Sequence, residues 1–336
     1  MPDFQIIIGD ALTTLQAMPS ESVDCCITSP PYWGLRDYGH AGQMGLEPTP
    51  AEYVAAMGAL FREVGRVLVP HGTLWLNLGD SYASNGRSEY DADPKLPQRG
   101  GAQRRRSTTV NGLKPKDMVG IPWRVAFALQ DDGWYLRSDI IWAKPNPMPE
   151  PVTDRPTKSH EYLFLLSKSP RYFYDSEAIK EPGMAMNEHD ATGQGYHAPG
   201  QAPHTGSRGI DKQRGHSRRH AGFNERWDAM SVKEQCSVMR NKRDVWTIPP
   251  EPFKGAHFAV MPSGLVAPCV LAGCPEGGLV LDPFTGSGTV GVVSLSHGRR
   301  FLGIELNPVY AAMAERRINA SIPGPRLFPI TNQASA

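Results

Sequence analysis

Leu279-Val280-Leu281 runs directly into Asp282-Pro283-Phe284-Thr285-Gly286-Ser287-Gly288-Thr289, and no other stretch limits the fold of this chain as tightly. Apolar residues followed by a carboxylate read as a short buried strand. Gly286-x-Gly288-x-x-Gly291 then opens a helix. Glycines at that spacing permit a tight strand-to-helix turn and let the backbone approach a ligand closely. Dinucleotide-binding domains share these glycines, so the glycines alone are a weak signal. Asp282 sharpens it, because a carboxylate beside the turn repels a pyrophosphate and suits a cationic ligand. Glu305 ends the next strand, Phe301–Ile304, nineteen residues after Gly286, where it can accept hydrogen bonds from both hydroxyls of a ribose.

The rest of the chain alternates in the same manner. Gln5–Ile8 reads as a strand closed by Gly9-Asp10, Ala11–Met18 as a short helix, and Val23–Thr28 as a second strand. Tyr53, Met57, Leu60, Phe61, Val64 and Leu68 recur at helical spacing over 51–69. Pro70-His71-Gly72 stops that helix, and Thr73–Leu78 is the next strand. A helix is expected near 121–131 and strands near 134–142 and 160–167. The last 80 or so residues give a helix at 263–272, a strand at 278–281, a helix at 288–297, a strand at 301–305 and a helix at 308–320. Alternating strands and helices predict an α/β domain with a largely parallel sheet. Two stretches interrupt the order, 81–118 and 181–243, both rich in Arg and Lys. Irregular segments this long in a compact domain are usually functional or disordered.

Ser29-Pro30-Pro31-Tyr32 follows the second strand, and proline cannot continue a central ladder. The pair Pro30-Pro31 fixes a stiff turn that presents carbonyls. An exocyclic amine on a nucleobase is a poor nucleophile, because its lone pair is delocalised into the ring. Two acceptors, Ser29 Oγ and the Pro30 carbonyl, can bind its two hydrogens and turn the lone pair outward, stabilising charge that grows in the transition state. Tyr32 can stack on the base. Taken together, Thr28-Ser29-Pro30-Pro31-Tyr32-Trp33-Gly34-Leu35-Arg36-Asp37-Tyr38, the Asp282–Thr289 turn, Glu305-Leu306-Asn307-Pro308 and Arg155-Pro156-Thr157-Lys158-Ser159-His160-Glu161-Tyr162 resemble the DNA amino-methyltransferases that modify cytosine N4 or adenine N6. The catalytic motif comes first and the cofactor motif last, similar to that family's beta class.

The resemblance covers roughly 1–80, 119–175 and 245–322. It implies a Rossmann-like sheet of seven strands with one antiparallel edge hairpin, and S-adenosylmethionine as methyl donor. The donor-binding residues it implies are Asp10, Ala11, Thr28, Pro262, Ser263, Asp282, Pro283, Phe284, Gly286, Ser287, Gly288, Thr289, Glu305 and Asn307. Asp10 would accept from the adenine amino group, with helix N-capping as its competing role. The helix opening at Ser263 would receive the methionine carboxylate. Just before it the family usually has His-Pro-Ala-x-Phe-Pro, and His257-Phe258-Ala259-Val260-Met261-Pro262 departs at Phe258 and Met261. Family members with Asp-Pro-Pro-Tyr mostly methylate adenine and those with Ser-Pro-Pro-Tyr more often cytosine N4, so Ser29 points to cytosine N4 rather than adenine N6. The target must be flipped out of the duplex.

Net charge is only +1, so contact with double-stranded DNA has to come from local clusters. Arg104-Arg105-Arg106 suits phosphate. Arg214, Arg218, Arg219, Arg240 and Lys242 lie in 181–243, the family's variable target-recognition region. The expected organisation is a catalytic part at 1–180 carrying the basic loop 81–118, a target-recognition insertion at 181–243, a cofactor-binding part at 244–322 and a loose tail at 323–336. The five cysteines form no CxxC pair and the scattered histidines have no metal-ligand spacing, so no metal is expected. With no leader pattern and no apolar run near the roughly 20 residues of a membrane span, a cytoplasmic enzyme is expected. Three matters stay open: a cognate restriction endonuclease as partner, monomer against homodimer, and the rival readings of an adenine N6 enzyme, an RNA or protein-glutamine methyltransferase and a catalytically silent DNA-binding regulator.

Overall fold

The computed structural model describes residues 3–35, 40, 42–83, 113–182, 239–251 and 261–322. Contacts divide the chain into two compact units, Met1–Asp175 with Arg243–Ala336, and Ser176–Lys242. Arg104–Arg106, Arg214, Arg218, Arg219, the segment His257–Val260 and the tail 323–336 lie outside the described residues.

The first unit is built on strands β1 (Phe4–Ile8), β2 (Val23–Thr28), β3 (Leu68–Leu78), β4 (Tyr135–Ala143) and β5 (His160–Ser167). In the second unit β6 (Glu181–Pro182) and β7 (Met239–Arg240) form a short antiparallel ribbon. The first unit resumes with β8 (Val245–Thr247), β9 (Leu279–Asp282) and β10 (Arg300–Glu305). Its helices are α1 (Ala11–Ala17), α2 (Pro50–Val67), α3 (Ile121–Asp131), α4 (Ser263–Gly273), α5 (Thr289–Ser296) and α6 (Pro308–Ser321).

One sheet of eight strands runs β1-β10-β9-β2-β3-β5-β4-β8. All its pairs are parallel except β3–β5 and β4–β5, so β5 alone is reversed. The expected α/β sheet and its antiparallel hairpin are present, with one strand more than the seven foreseen. The extra strand, β8, pairs parallel to β4 through Ile141↔Val245 and moves the hairpin one place in from the edge. β3 also begins earlier than expected, at Leu68, and runs through Pro70 and Gly72. The register shift between Val23 and Cys25 of β2 takes up those residues, and such an irregularity is where a sheet tolerates proline.

Alternation along the central strands divides the core. Cys26, Leu74, Leu76 and Leu78 join Leu15 of α1, Tyr53, Met57, Leu60, Phe61, Val64 and Val67 of α2, and Val125 and Leu129 of α3 in one cluster. These α2 side chains are fully buried at helical spacing, and a Thr49–Glu52 capping box starts the helix. On the other face α4 packs against β2, β3 and α5, and α5 against α6. Gly273 lies so close to Trp75 that a Cβ would come within 2.2 Å of its indole nitrogen. Among the described residues no helix is long and apolar enough to cross a membrane.

β9 and β2 are neighbours whose onward connections diverge. β9 leads through α5 to β10 on one side, and β2 leads through α2 to β3 on the other. The crevice beyond their carboxyl ends is the switch point at which open α/β sheets bind ligands.

Candidate active site

The two motifs meet at that switch point. Thr28, the last residue of β2, donates its hydroxyl to Asp282 Oδ1 at 2.7 Å, although 254 residues separate them. Asp282 also accepts from the Phe284 amide at 3.1 Å. It is 2% exposed, and burial pushes its carboxyl up to about 7, against the pull of those two donors. The turn beyond it bends at Gly286 and Gly288, whose φ values of 51° and 77° favour glycine. Gly286 donates its amide to Glu305 Oε2 at 2.8 Å and Asn307 donates to Oε1 at 2.9 Å, so Glu305 is oriented by backbone. Burial raises the Glu305 carboxyl while these amides oppose the shift. Ser287 and Thr289 are buried, and Pro283 and Phe284 lie beside them in the same turn.

Other expected contacts have structural work. Asp10 Oδ1 caps α1, accepting from the Thr13 amide at 2.8 Å and its hydroxyl at 2.7 Å, with Ala11 buried as the first helical residue. Asn307 caps α6 through the Val309 amide at 2.9 Å. Pro262 is the N-cap of α4 and makes no side-chain capping bond, and Ser263 donates to Glu251 at 3.3 Å. In the second unit Arg240 is paired with Glu181 at 2.9 Å, so part of its charge is already answered. Lys242 lies in the same unit.

Ser29-Pro30-Pro31-Tyr32 leaves β2 beside this turn. The Pro31 carbonyl accepts the Tyr53 hydroxyl at 2.9 Å, which ties the proline turn to α2. Tyr32 packs its ring edge on Gly79, where a Cβ would come within 2.5 Å of Cε2. Its hydroxyl lies 2.7 Å from Glu161 Oε2 and 3.0 Å from Asn77 Oδ1. The Ser29 hydroxyl lies 3.3 Å from Asn77 Oδ1 and 3.4 Å from the Tyr32 hydroxyl. Asn77 donates to the Tyr162 carbonyl at 3.0 Å, and Lys144 forms an ion pair with Glu161 Oε1. Burial and then the Glu161 carboxylate push the Tyr32 phenol well above its ordinary range, so it stays protonated at neutral pH.

Sequence reasoning missed Asn77, Lys144, the role of Glu161, and Tyr53. An asparagine inside the apolar run Leu74-Trp75-Leu76-Asn77-Leu78 was the signal for the first, since a buried polar side chain needs partners. It also missed Arg317 of α6. That side chain donates to the Ser287 carbonyl at 3.1 Å, the Ser287 hydroxyl at 3.0 Å and the Thr289 hydroxyl at 2.7 Å.

A strand-end carboxylate, a glycine turn and a polar pocket on the adjoining strand define an α/β enzyme that brings a small cofactor against a second substrate. The family model for DNA methylases of the N6 and N4 kind matches residues 23–316. Type II methyltransferase M.SmaI of Serratia marcescens is 48% identical over 314 residues, covering 94% of this chain and 90% of that protein. Type II methyltransferase M.Cfr9I of Citrobacter freundii is 46% identical over 310 residues, covering 92% and 86%. TTHA0409 of Thermus thermophilus, solved with S-adenosyl-L-methionine, superposes with a TM-score of 0.56 at 24% identity, covering 96% and 95%. PvuII DNA methyltransferase, a cytosine-N4-specific enzyme, gives 0.56 at 18% identity, covering 95% and 90%. At those identities the two solved structures speak to fold. The chain belongs to the N6/N4 DNA methylase family, and it is a DNA methyltransferase.

Proposed function

We propose that this DNA methyltransferase is site-specific and moves a methyl group from S-adenosylmethionine to the exocyclic N4 amine of a cytosine flipped out of the duplex. The observation that carries the reading is the Thr28–Asp282 bond, because it holds Ser29, the next residue, against the turn built for the donor. The donor fits the residues present. Asp282 is a buried carboxylate whose ionisation a cationic amino acid would favour, and Glu305 offers oxygens already oriented by two amides. When bound, S-adenosylmethionine supplies an electrophilic methyl on a sulfonium.

The chain's own residues prepare the nucleophile. Ser29 Oγ accepts one amine hydrogen and the Pro30 carbonyl the other, which turns the nitrogen lone pair out of conjugation. The Pro31 carbonyl is engaged by Tyr53, and that bond fixes the turn. Ser-Pro-Pro-Tyr is more often found with cytosine N4 in this family, and a neutral Ser29 polarises the amine differently from the Asp of the adenine-type motif. The type II names of the relatives favour a paired restriction endonuclease of the same specificity, and the 181–243 insertion, with Arg214, Arg218, Arg219, Arg240 and Lys242, is read as the target-recognition region, with Arg104–Arg106 on the backbone.

The test is mass spectrometry of nucleosides from unmethylated duplex DNA incubated with the protein and the donor. 4-Methylcytosine is expected. 6-Methyladenine would overturn the base while keeping the enzyme class, and no methylated nucleoside on DNA of varied sequence would overturn the reading.

A further inference from the structure

Methyl transfer to an exocyclic amine leaves a problem that Ser29 and Pro30 do not solve. The new N4–C bond forms with the nitrogen lone pair, the S–C bond breaks with its electrons going to sulfur, and the nitrogen carries a positive charge until it loses a proton. That proton needs a base, and Ser29, Pro30 and Asn77 are not bases near neutral pH. We propose that the proton leaves through Ser29 and Tyr32 to the carboxylate of Glu161, which Lys144 holds in place. The inference rests on the amine-methylation reading above, and names a proton acceptor for it.

The path is continuous. The N4–H bond breaks as Ser29 Oγ takes the proton. The Ser29 hydroxyl proton passes to the Tyr32 oxygen 3.4 Å away, and the Tyr32 proton passes to Glu161 Oε2 at 2.7 Å. Each hydroxyl gives one proton and receives one, so the carboxylate alone gains one and the base ends neutral. The 3.4 Å step is long for a hydroxyl pair, and such contacts commonly tighten when substrate enters. Tyr32 stays a neutral phenol, as a relay of this kind requires, and Gly79 leaves room for its ring to reach that position.

Glu161 suits the end of the path. Its side chain is 18% exposed, so the proton can pass on to water between turnovers. Lys144 pairs with its other oxygen while lying 4.2 Å from the Trp142 ring centroid, which fixes both the lysine and the carboxylate. The titratable groups facing it are Tyr32 from the loop after β2, Lys144 just past the end of β4, and Lys158 and His160 on the approach to and start of β5. Asn77 of β3 contributes only an amide, donating to Glu161 Oε2 at 3.4 Å. No other carboxylate is hydrogen-bonded to the Tyr32 hydroxyl among the described residues.

The test is single-turnover methyl transfer by rapid quench, at saturating donor and DNA and neutral pH, for the wild type, Glu161→Gln, Tyr32→Phe and Glu161→Asp. Saturating donor keeps donor binding out of the rate. Glu161→Gln and Tyr32→Phe should each lower the rate by about 100-fold, the scale of general acid–base catalysis, with donor affinity within about twofold. Glu161→Asp should recover part of the rate. A wild-type rate in Glu161→Gln would overturn the relay. If Glu161→Gln does not fold, Tyr32→Phe decides, and a wild-type rate there has the same meaning. Wild-type enzyme that forms no methylated base at all would instead remove the reading on which the proposal rests.

Discussion

At the scale of single residues, Asp282 gives the clearest pH signature. Its ordinary value is 3.8 and its folded value is about 7. Between those values the folded protein keeps a proton that the unfolded chain has released. The resulting stabilisation is fully present below about 4 and is lost as the pH rises through about 7. A cationic donor reverses the preference, because it needs the carboxylate. Donor affinity should therefore weaken as the pH falls below about 7, by up to about tenfold per unit for one linked proton. Asp282→Asn should bind weakly and with no such slope. Calorimetric titration from about pH 7.5 down to about 5.5 measures both, and an equal slope in the variant would clear Asp282 of the role. Gly79 makes a second case. A Cβ there meets the Tyr32 ring at 2.5 Å, and the hydroxyl network leaves that ring little freedom to move. Gly79→Ala should cut turnover while leaving donor affinity nearly unchanged, and a split of kcat from donor Kd would register it.

At the scale of elements, local pattern was enough for most of the fold. β2 at Val23–Thr28 and α3 at Ile121–Asp131 fall where periodicity and proline punctuation put them, because a buried central strand and an amphipathic helix both write their periods into the sequence. β8 was not legible, being three residues whose status as a strand depends on β4 lying alongside. The site divides in the same way. Ser29–Tyr32 and Asp282–Thr289 are contiguous, so their chemistry shows in one dimension. Glu161 and Lys144 meet only through the β4–β5 register, in which Trp142 faces Glu161 and Ala143 faces His160. Arg317 reaches the turn only because α6 packs on α5, with Ala314 within 3.0 Å of a Cβ at Gly288. That arginine braces the donor turn from behind, and burial lowers its pKa without removing its charge at neutral pH. Arg317→Met should loosen the turn and weaken the donor by about tenfold, about 1.4 kcal/mol, the order of one hydrogen bond to a charged group. Arg317→Lys should recover little, because a single ammonium does not reproduce a guanidinium reaching two residues. Donor titration of the two variants measures this, and an unchanged Kd would reduce Arg317 to a surface contact.

At the scale of the whole molecule, the chain leaves the sheet-bearing unit after Asp175 and re-enters it at Arg243. Just inside the second unit, Glu181 pairs with Arg240 and Pro182 with Met239, so the described residues that flank 183–238 lie side by side. Paired strands are about 5 Å apart, a gap that a few residues can close at small entropic cost. The elements around the donor turn, β2, β9, β10, α4, α5 and α6, all belong to the first unit, as do Ser29, Tyr32, Asn77, Lys144 and Glu161. Donor binding and target choice should therefore separate. Replacing 183–238 by a short Gly-Ser linker should leave the thermal transition within a few degrees and the donor Kd within about threefold, while site-specific methylation of DNA disappears. Parallel donor titration and sequencing-based mapping of methylated positions would measure both halves. Retention of the same methylated sites would assign target choice to the first unit, and loss of donor binding would make the cofactor site depend on the insertion after all.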